Sequence, residues 1–161
     1  MLMVCDIQPE YKEYFGFNTY SFINFLNEQT EPFIYFYNGY ETLCMIREDD
    51  LKWWLIEHDL DESILNLITF VDKGYGFLRD AIDCYVPDEQ TVAMVQEMIY
   101  NNAGYYEFDY GTLHTNDCFD VIEQHDNITF VGGSKYACLK ELELVAMAYN
   151  KTFTFNNDFV Y

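Results

Sequence analysis

The sequence predicts an α/β domain: three Rossmann-like layers built on a mostly parallel sheet of five or six strands. Two observations carry this. Short β-branched and aromatic runs recur at 2–7, 32–37, 64–71, 127–131 and 152–155, and stretches with apolar residues at helical spacing separate them. Strands that alternate with helices run parallel through crossovers, which lays helices over both faces of one sheet. At 161 residues the chain can bury one substantial core. No repeat, low-complexity tract or linker composition divides it, so residues 1–161 read as a single domain.

Taken in order, Leu2 to Ile7 (LMVCDI) is an apolar run broken by one acid, a buried strand ending near Asp6. Tyr20, Ile23 and Phe25-Leu26 follow at helical spacing behind Asn18 or Thr19 as cap. Pro32 to Tyr37 (PFIYFY), closed by Asn38-Gly39, is the second strand. Asp49 and Asp50 suit the cap of a helix through Leu51, Trp54 and Leu55, and Ile64 to Val71 (ILNLITFV) supplies the third strand. Helical spacing returns at Phe77-Leu78 and Ala81-Ile82, and again from Pro87 to Tyr100, where proline and acids occupy the first turn. Asn101 to Thr115 is polar, glycine-containing and tyrosine-rich, which reads as a long loop. A short helix over 117–124, a strand over Asn127 to Val131, a Gly132-Gly133 turn, a helix from about Ser134 to Tyr149 and a strand over Thr152 to Phe155 complete the chain.

Charge excludes whole classes of function. The chain carries 28 acids against 8 bases, a formal net charge of -20, while half its residues are hydrophobic and 19% aromatic. That much apolar surface offsets ordering entropy and predicts a compact fold. The negative surface repels phosphate backbones, so no nucleic-acid partner is expected, and attachment to anionic membranes is disfavoured. The acids keep an aromatic-rich chain soluble; they also let it imitate nucleic acid toward a basic protein partner. No run approaches the ~20 apolar residues of a membrane span. Met1 to Cys5 meets Asp6 before any apolar region of secretory length, so the expectation is a soluble, cytoplasmic protein without a leader. The five cysteines, Cys5, Cys44, Cys84, Cys118 and Cys138, never form CxxC; each taken alone reads as a small buried hydrophobe in a reducing compartment. The aromatic runs FIYFYNGY and NNAGYYEFDYG read as core or interface, and exposed tyrosines there would suit a homo-oligomer.

In open parallel sheets the ligand crevice lies outside the carboxyl ends of the strands. Asp6 ends the first strand, Lys73 follows the third, and Cys138 follows the Gly132-Gly133 turn at the start of a helix. A cysteine in a first helical turn meets free N–H groups and the positive end of the dipole, which favour thiolate over thiol. A lysine adds to that effect, and a carboxylate accepts the departing proton. Paired glycines let the backbone approach a substrate and leave amide N–H groups for a developing oxyanion.

The segments VCDIQPEY, FVDKGYGFLRD and FVGGSKYACLKE resemble the isochorismatase-like cysteine hydrolases, a superfamily that includes nicotinamidases and N-carbamoyl amine hydrolases. The resemblance covers roughly residues 1–40, 65–80 and 126–156 and rests on DxQ after an apolar strand and a glycine with a cysteine five positions on. It implies a Rossmann-like sheet, no cofactor, and an Asp6-Lys73-Cys138 triad acting on a small amide-like substrate. In that scheme Asp6 takes the proton of Cys138, Lys73 stabilises the charged pair, and the N–H groups of Ala137 and Cys138 hold the oxyanion. Nicotinamidases of that superfamily carry an Asp and closely spaced histidines that bind a metal. Here the interval between Asp6 and Lys73 holds only His58, with no i, i+4 or HxH partner, so no metal is expected. Leu142 and acids stand where the family carries a threonine after the cysteine. The interval after Lys73 is long, and an insertion around 85–111 reads as a lid or an oligomer contact.

Other constellations are weaker. His114 and His125 stand alone, GGSK lacks the phosphate-loop spacing, and the acidic clusters at 48–50 and 57–62 lack EF-hand spacing. Two alternatives to hydrolysis remain: a non-catalytic acidic protein-binding module on the same fold, and a PIN-like nuclease in which Asp6, Glu141 and Glu143 gather Mg2+. The charge opposes the second.

Overall fold

The computed structural model describes residues 1–39, 46–73, 78, 86–101, 105–108, 111–114 and 116–161, with the backbone alone for 105–108, 111–114, 116 and 117. Strands β1 (Leu2–Cys5), β2 (Phe33–Tyr37) and β3 (Ile68–Asp72) alternate with helices α1 (Thr19–Asn27) and α2 (Glu48–Glu57). Helix α3 (Glu89–Tyr100), strands β4 (Tyr105–Phe108) and β5 (Gly111–His114) and helix α4 (Asn116–Glu123) follow, and β6 (Asn127–Gly132), α5 (Cys138–Ala148) and β7 (Thr152–Asn156) close the chain.

Five strands form one all-parallel sheet in the order β3-β2-β1-β6-β7. The chain starts at the centre, builds outward through β2 and β3, then returns to the other side of β1. Strand order therefore reverses between β1 and β6, and the crevice of a doubly wound sheet opens above that junction. Alternate side chains of the strands feed two cores. Val4, Phe33, Tyr35, Tyr37 and Val131 pack with Phe22, Ile23 and Leu26 of α1 and Leu51, Trp54 and Leu55 of α2. Met3, Ile34, Phe36, Val71 and Phe130 face α3, α4 and α5 through Val95, Ile122, Leu139 and Leu142. Helices on both faces make the three layers expected of the sequence.

Local chemistry explains the elements. Asn18 caps α1 by accepting from the Tyr20 N–H at 2.8 Å, and Asp88 caps α3 by accepting from Thr91 at 2.8 Å. Helix α2 begins after Arg47, which offers no side-chain cap, and Glu48, Asp49 and Asp50 instead occupy its first turn, where the dipole favours acids.

Three expectations are corrected. The run Ile64 to Val71 is strand only from Ile68, because Asp61 accepts from the Ser63 N–H at 2.8 Å and starts a 3-10 turn over Glu62–Leu67. The stretch read as a loop over 101–115 contains an antiparallel hairpin, with Tyr105 opposite His114 and Phe108 opposite Gly111. Helix α5 starts at Cys138 rather than near Ser134, because the backbone turns through two glycines at positive φ and then folds back on the Ser134 carbonyl. Of the helix expected around 77–82, only Leu78 falls within the described residues, and the expected insertion at 85–111 is described in part, as α3 and the hairpin. Among the described residues no helix is long and apolar enough to cross a membrane.

Candidate active site

Above the junction of β1 and β6 the structure brings Asp6, Lys73 and Cys138 together from three distant segments. Asp6 follows the last residue of β1 with φ at +47°, a left-handed turn that aspartate tolerates better than most residues. Its N–H donates to the Phe36 carbonyl at 3.0 Å, and its own carbonyl accepts from the Tyr161 hydroxyl at 3.1 Å. The backbone turn is thus held from both sides and aims the carboxylate inward.

The carboxylate is fully buried and pairs through Oδ2 with Lys73 Nζ at 2.8 Å. Lys73 extends from the end of β3, two strands away from β1, so only a long side chain crosses above β2 to reach it. Asn38, at the end of β2, bridges the gap by accepting from Lys73 Nζ at 3.2 Å. Its amide donates to the Tyr11 hydroxyl at 2.7 Å, and its backbone N–H donates to Gln8 Oε1 at 2.9 Å. The glutamine of the DxQ segment therefore fixes the residue that steadies the lysine.

Burial alone would pull the Lys73 ammonium down, but Asp6 and the neighbouring Cys5, Glu141 and Cys138 outweigh it and hold the group well above its ordinary value. Lys73 is a permanent cation. Burial pushes the Asp6 carboxyl above the usual carboxylate range, with Lys73 pulling the other way. A carboxylate so placed is a stronger base than one in water. Among the described residues, Asp6 Oδ1 receives no hydrogen bond, and the nearby Cys138 thiol, like Lys73, favours the charged form of the carboxyl.

Cys138 is the first residue of α5 and is half-buried, where Asp6 and Lys73 are closed to solvent. Its Sγ lies within 4.8 Å of an Asp6 carboxylate oxygen and of Cys5 Sγ. The Ser134 N–H donates to it at 3.1 Å, a contact that stabilises negative charge on sulfur. Gly132 and Gly133 make this approach possible. They adopt φ of +82° and +74°, and a Cβ on Gly132 would stand 2.5 Å from the Cys5 carbonyl oxygen. Tyr161 clamps the same turn: its N–H donates to the Gly133 carbonyl at 3.1 Å and its carbonyl accepts from Lys135. Burial, with Cys138 and Asp6 adding to it, raises the Tyr161 phenol far above its ordinary value, so it stays a neutral donor.

One expected detail differs. The Ala137 N–H, one of two donors anticipated for an oxyanion, donates to the Ser134 carbonyl at 3.1 Å. Several residues of the site escaped the sequence reading. Asn38 reads in the chain only as a turn residue, although it ends a strand like the others. Cys5 reads in the chain only as a small buried hydrophobe, and Tyr161 carries no local signal. Glu141, considered only as a metal ligand, is buried and accepts from the Leu78 N–H at 3.2 Å. Glu143 is not gathered with Asp6; it pairs with Lys140.

Among the described residues the one group of three donors spaced for a metal ion is Cys5, Asp6 and Cys138. The donor set does not suit a cation, because the Lys73 ammonium already stands 2.8 Å from the carboxylate and repels further positive charge. His58 lies elsewhere, at the end of α2, with Nδ1 at 2.8 Å from the Trp54 carbonyl and its ring against Trp54 and Tyr20. Comparison of the chain with protein-family models, curated proteins and solved structures found no match.

Proposed function

We propose that the protein is a metal-independent cysteine hydrolase of small amide-like substrates, similar in its chemistry to the isochorismatase-like enzymes its sequence resembles. The observation that carries this reading is the convergence of a buried Asp6–Lys73 pair, 2.8 Å apart, with the half-buried Cys138 at the reversal point of the sheet. Asp6 takes the thiol proton, and the Cys138 sulfur attacks the carbonyl carbon of the substrate. The carbon–nitrogen bond breaks and the amine leaves with the proton from Asp6. Water, deprotonated by Asp6, then cleaves the thioester, releasing the acid and restoring the thiol. Lys73 keeps its proton throughout; it orients the carboxylate and offsets the charge that appears on sulfur. No cofactor enters.

The experiment is turnover of a panel of small primary amides and N-carbamoyl amines, read as ammonia release. This reading expects release that disappears in Cys138→Ala and in Asp6→Asn. A release rate unchanged by Cys138→Ala would overturn it.

One observation favours a second reading, a non-catalytic acidic module that binds a basic protein partner. The Ala137 N–H is already engaged by Ser134, which removes a donor from the oxyanion position. That reading expects no turnover on any member of the panel, and binding to a basic protein that weakens steeply with salt. The nuclease reading has less support: Lys73 occupies the Asp6 carboxylate, and Glu143 is paired with Lys140.

A further inference from the structure

The mechanism leaves one reactive group beside the site unused. Cys5, the last residue of β1, is completely buried, and its Sγ lies within 4.8 Å of Cys138 Sγ. The two cysteines sit on the same face of the sheet, Cys5 from the central strand and Cys138 from the first turn of the helix that covers it. Gly133 keeps the space beside Cys5 clear. A Cβ there would stand 2.9 Å from Cys5 Sγ and 3.1 Å from the Leu139 Cβ, so Cys5 faces the start of α5 across a residue with no side chain.

We propose that Cys5 is a resolving thiol for Cys138, and that a hydroperoxide converts the pair to a reversible disulfide that shuts the site. This rests on the reading of Cys138 as the reactive thiol. The two cysteines differ in the way such a pair requires. Burial pushes the Cys5 thiol well up, so it is a poor first nucleophile, whereas Cys138 is half-open to solvent and carries the Ser134 N–H on its sulfur. The oxidant therefore meets Cys138 first.

The electrons balance in two steps. The Cys138 thiolate sulfur attacks one peroxide oxygen, the O–O bond breaks, and the other oxygen leaves as alkoxide or hydroxide, which takes a proton to become alcohol or water. Cys138 is then a sulfenic acid. The Cys5 sulfur attacks the Cys138 sulfur, its proton passing by way of Asp6 to the departing oxygen. The S–O bond breaks and water leaves, giving a disulfide. The sulfurs must close from within 4.8 Å to about 2.05 Å, a distance that rotation of the Cys138 side chain and a small shift of the first turn of α5 can supply. The bond blocks the nucleophile and prevents its further oxidation to the irreversible sulfinic acid.

The test treats native protein with a small molar excess of hydrogen peroxide, enough for the second oxidation step to sulfinic acid, blocks free thiols, and maps the digested peptides by mass. The expected result is a linked pair of peptides carrying Cys5 and Cys138, with full return of alkylatable Cys138 after dithiothreitol. In Cys5→Ala and in Cys5→Ser the link is absent, Cys138 advances to sulfinic acid, and dithiothreitol restores none of it. Sulfinic acid on Cys138 of the native protein at the rate seen in the variants would overturn the proposal while leaving the hydrolase reading in place, as would a link from Cys138 to a different cysteine. A Cys138 inert to both peroxide and iodoacetamide would overturn both. The native peptide map decides the matter without the variants, should a substitution at buried Cys5 prevent folding.

Discussion

Replacing Lys73 with methionine keeps the length of the side chain and removes its charge, which leaves Asp6 alone in a site closed to water. At 2.8 Å the pair attracts by about 6 kcal/mol at an effective dielectric of about 20, and desolvation of both groups offsets part of that. Without its partner the carboxyl escapes the penalty by holding a proton. From an unfolded pKa of about 3.9, keeping Asp6 neutral at pH 7 costs about 4 kcal/mol, at roughly 1.4 kcal/mol per pH unit. This agrees with the about 3–5 kcal/mol usually lost when one member of a buried pair is removed. The sign follows from the direction of the shift. A folded pKa raised above the unfolded one means stability fully present below about pH 4 and lost as pH rises toward neutrality. Urea unfolding followed by tryptophan fluorescence, with Trp54 buried in the core, measures the loss at several pH values. The expected deficit is about 4 kcal/mol near pH 7 and about 1.5 kcal/mol near pH 5, with most of it recovered in the double variant Asp6→Asn/Lys73→Met. A deficit under about 1 kcal/mol, the size typical of exposed pairs, or one that does not change with pH, would mean that Lys73 does not hold a buried charge on Asp6.

Gly132→Ala places a Cβ 2.5 Å from the Cys5 carbonyl oxygen at a φ of +82°, and backbone of the central strand cannot yield. The left-handed strain alone is about 1–2 kcal/mol, so thermal unfolding should fall by well over the few degrees that 1 kcal/mol commands; an unchanged midpoint would contradict the geometry. Phe159 touches Phe17, Phe22 and Phe25 at centroid distances of 5.4, 5.7 and 5.2 Å, so Phe159→Ala should cost about 3–5 kcal/mol in urea unfolding, whereas a cost below about 1 kcal/mol would place that ring outside the core. Lys73 and the buried Tyr35 both have folded values raised above their unfolded ones, so the stability they contribute is present below about pH 10 and is lost as pH rises through the folded values. The part of the tyrosinate absorbance that comes from buried tyrosines such as Tyr35 should therefore appear only with cooperative unfolding; its appearance in a still folded chain would be the contrary result.

Much of this architecture was legible in the chain, because buried parallel strands read as continuous apolar runs and their ends are marked by the first acid, glycine or turn residue. VCD, YNG and FVGG each mark a strand end correctly. The start of α5 is hidden because Ser134 to Ala137 continue an acceptable helical pattern, and nothing local shows that two positive φ angles displace the first turn onto Cys138. The apolar run ILNLITFV hides a 3-10 turn, since the deciding contact is the Asp61 side chain lying before it. The hairpin at 105–114 is not legible in the chain, because its tyrosines and acids do not alternate with any clear period.

In the site, the three residues that sit at strand or helix ends in the chain were the ones that could be named. Asn38 obeys the same rule, but Asn38-Gly39 is also a common turn pair and hides it. Cys5 could not be separated from ordinary core cysteines, because its significance depends on which face of β1 it takes and on what α5 sets against it. Tyr161 reaches Asp6 across 155 positions of chain, a contact no local pattern encodes.

The proposed hydrolysis requires Asp6 and Lys73 to make Cys138 a nucleophile. Limiting iodoacetamide applied to the folded protein near neutral pH, with peptide mapping of every cysteine, tests it directly. Cys138 should be modified well before buried Cys5 and Cys118, and Asp6→Asn, compared under conditions where circular dichroism shows the variant to be folded, should slow its modification severalfold. Alkylation of Cys138 at the rate of an ordinary exposed thiol, unchanged by Asp6→Asn, would contradict it.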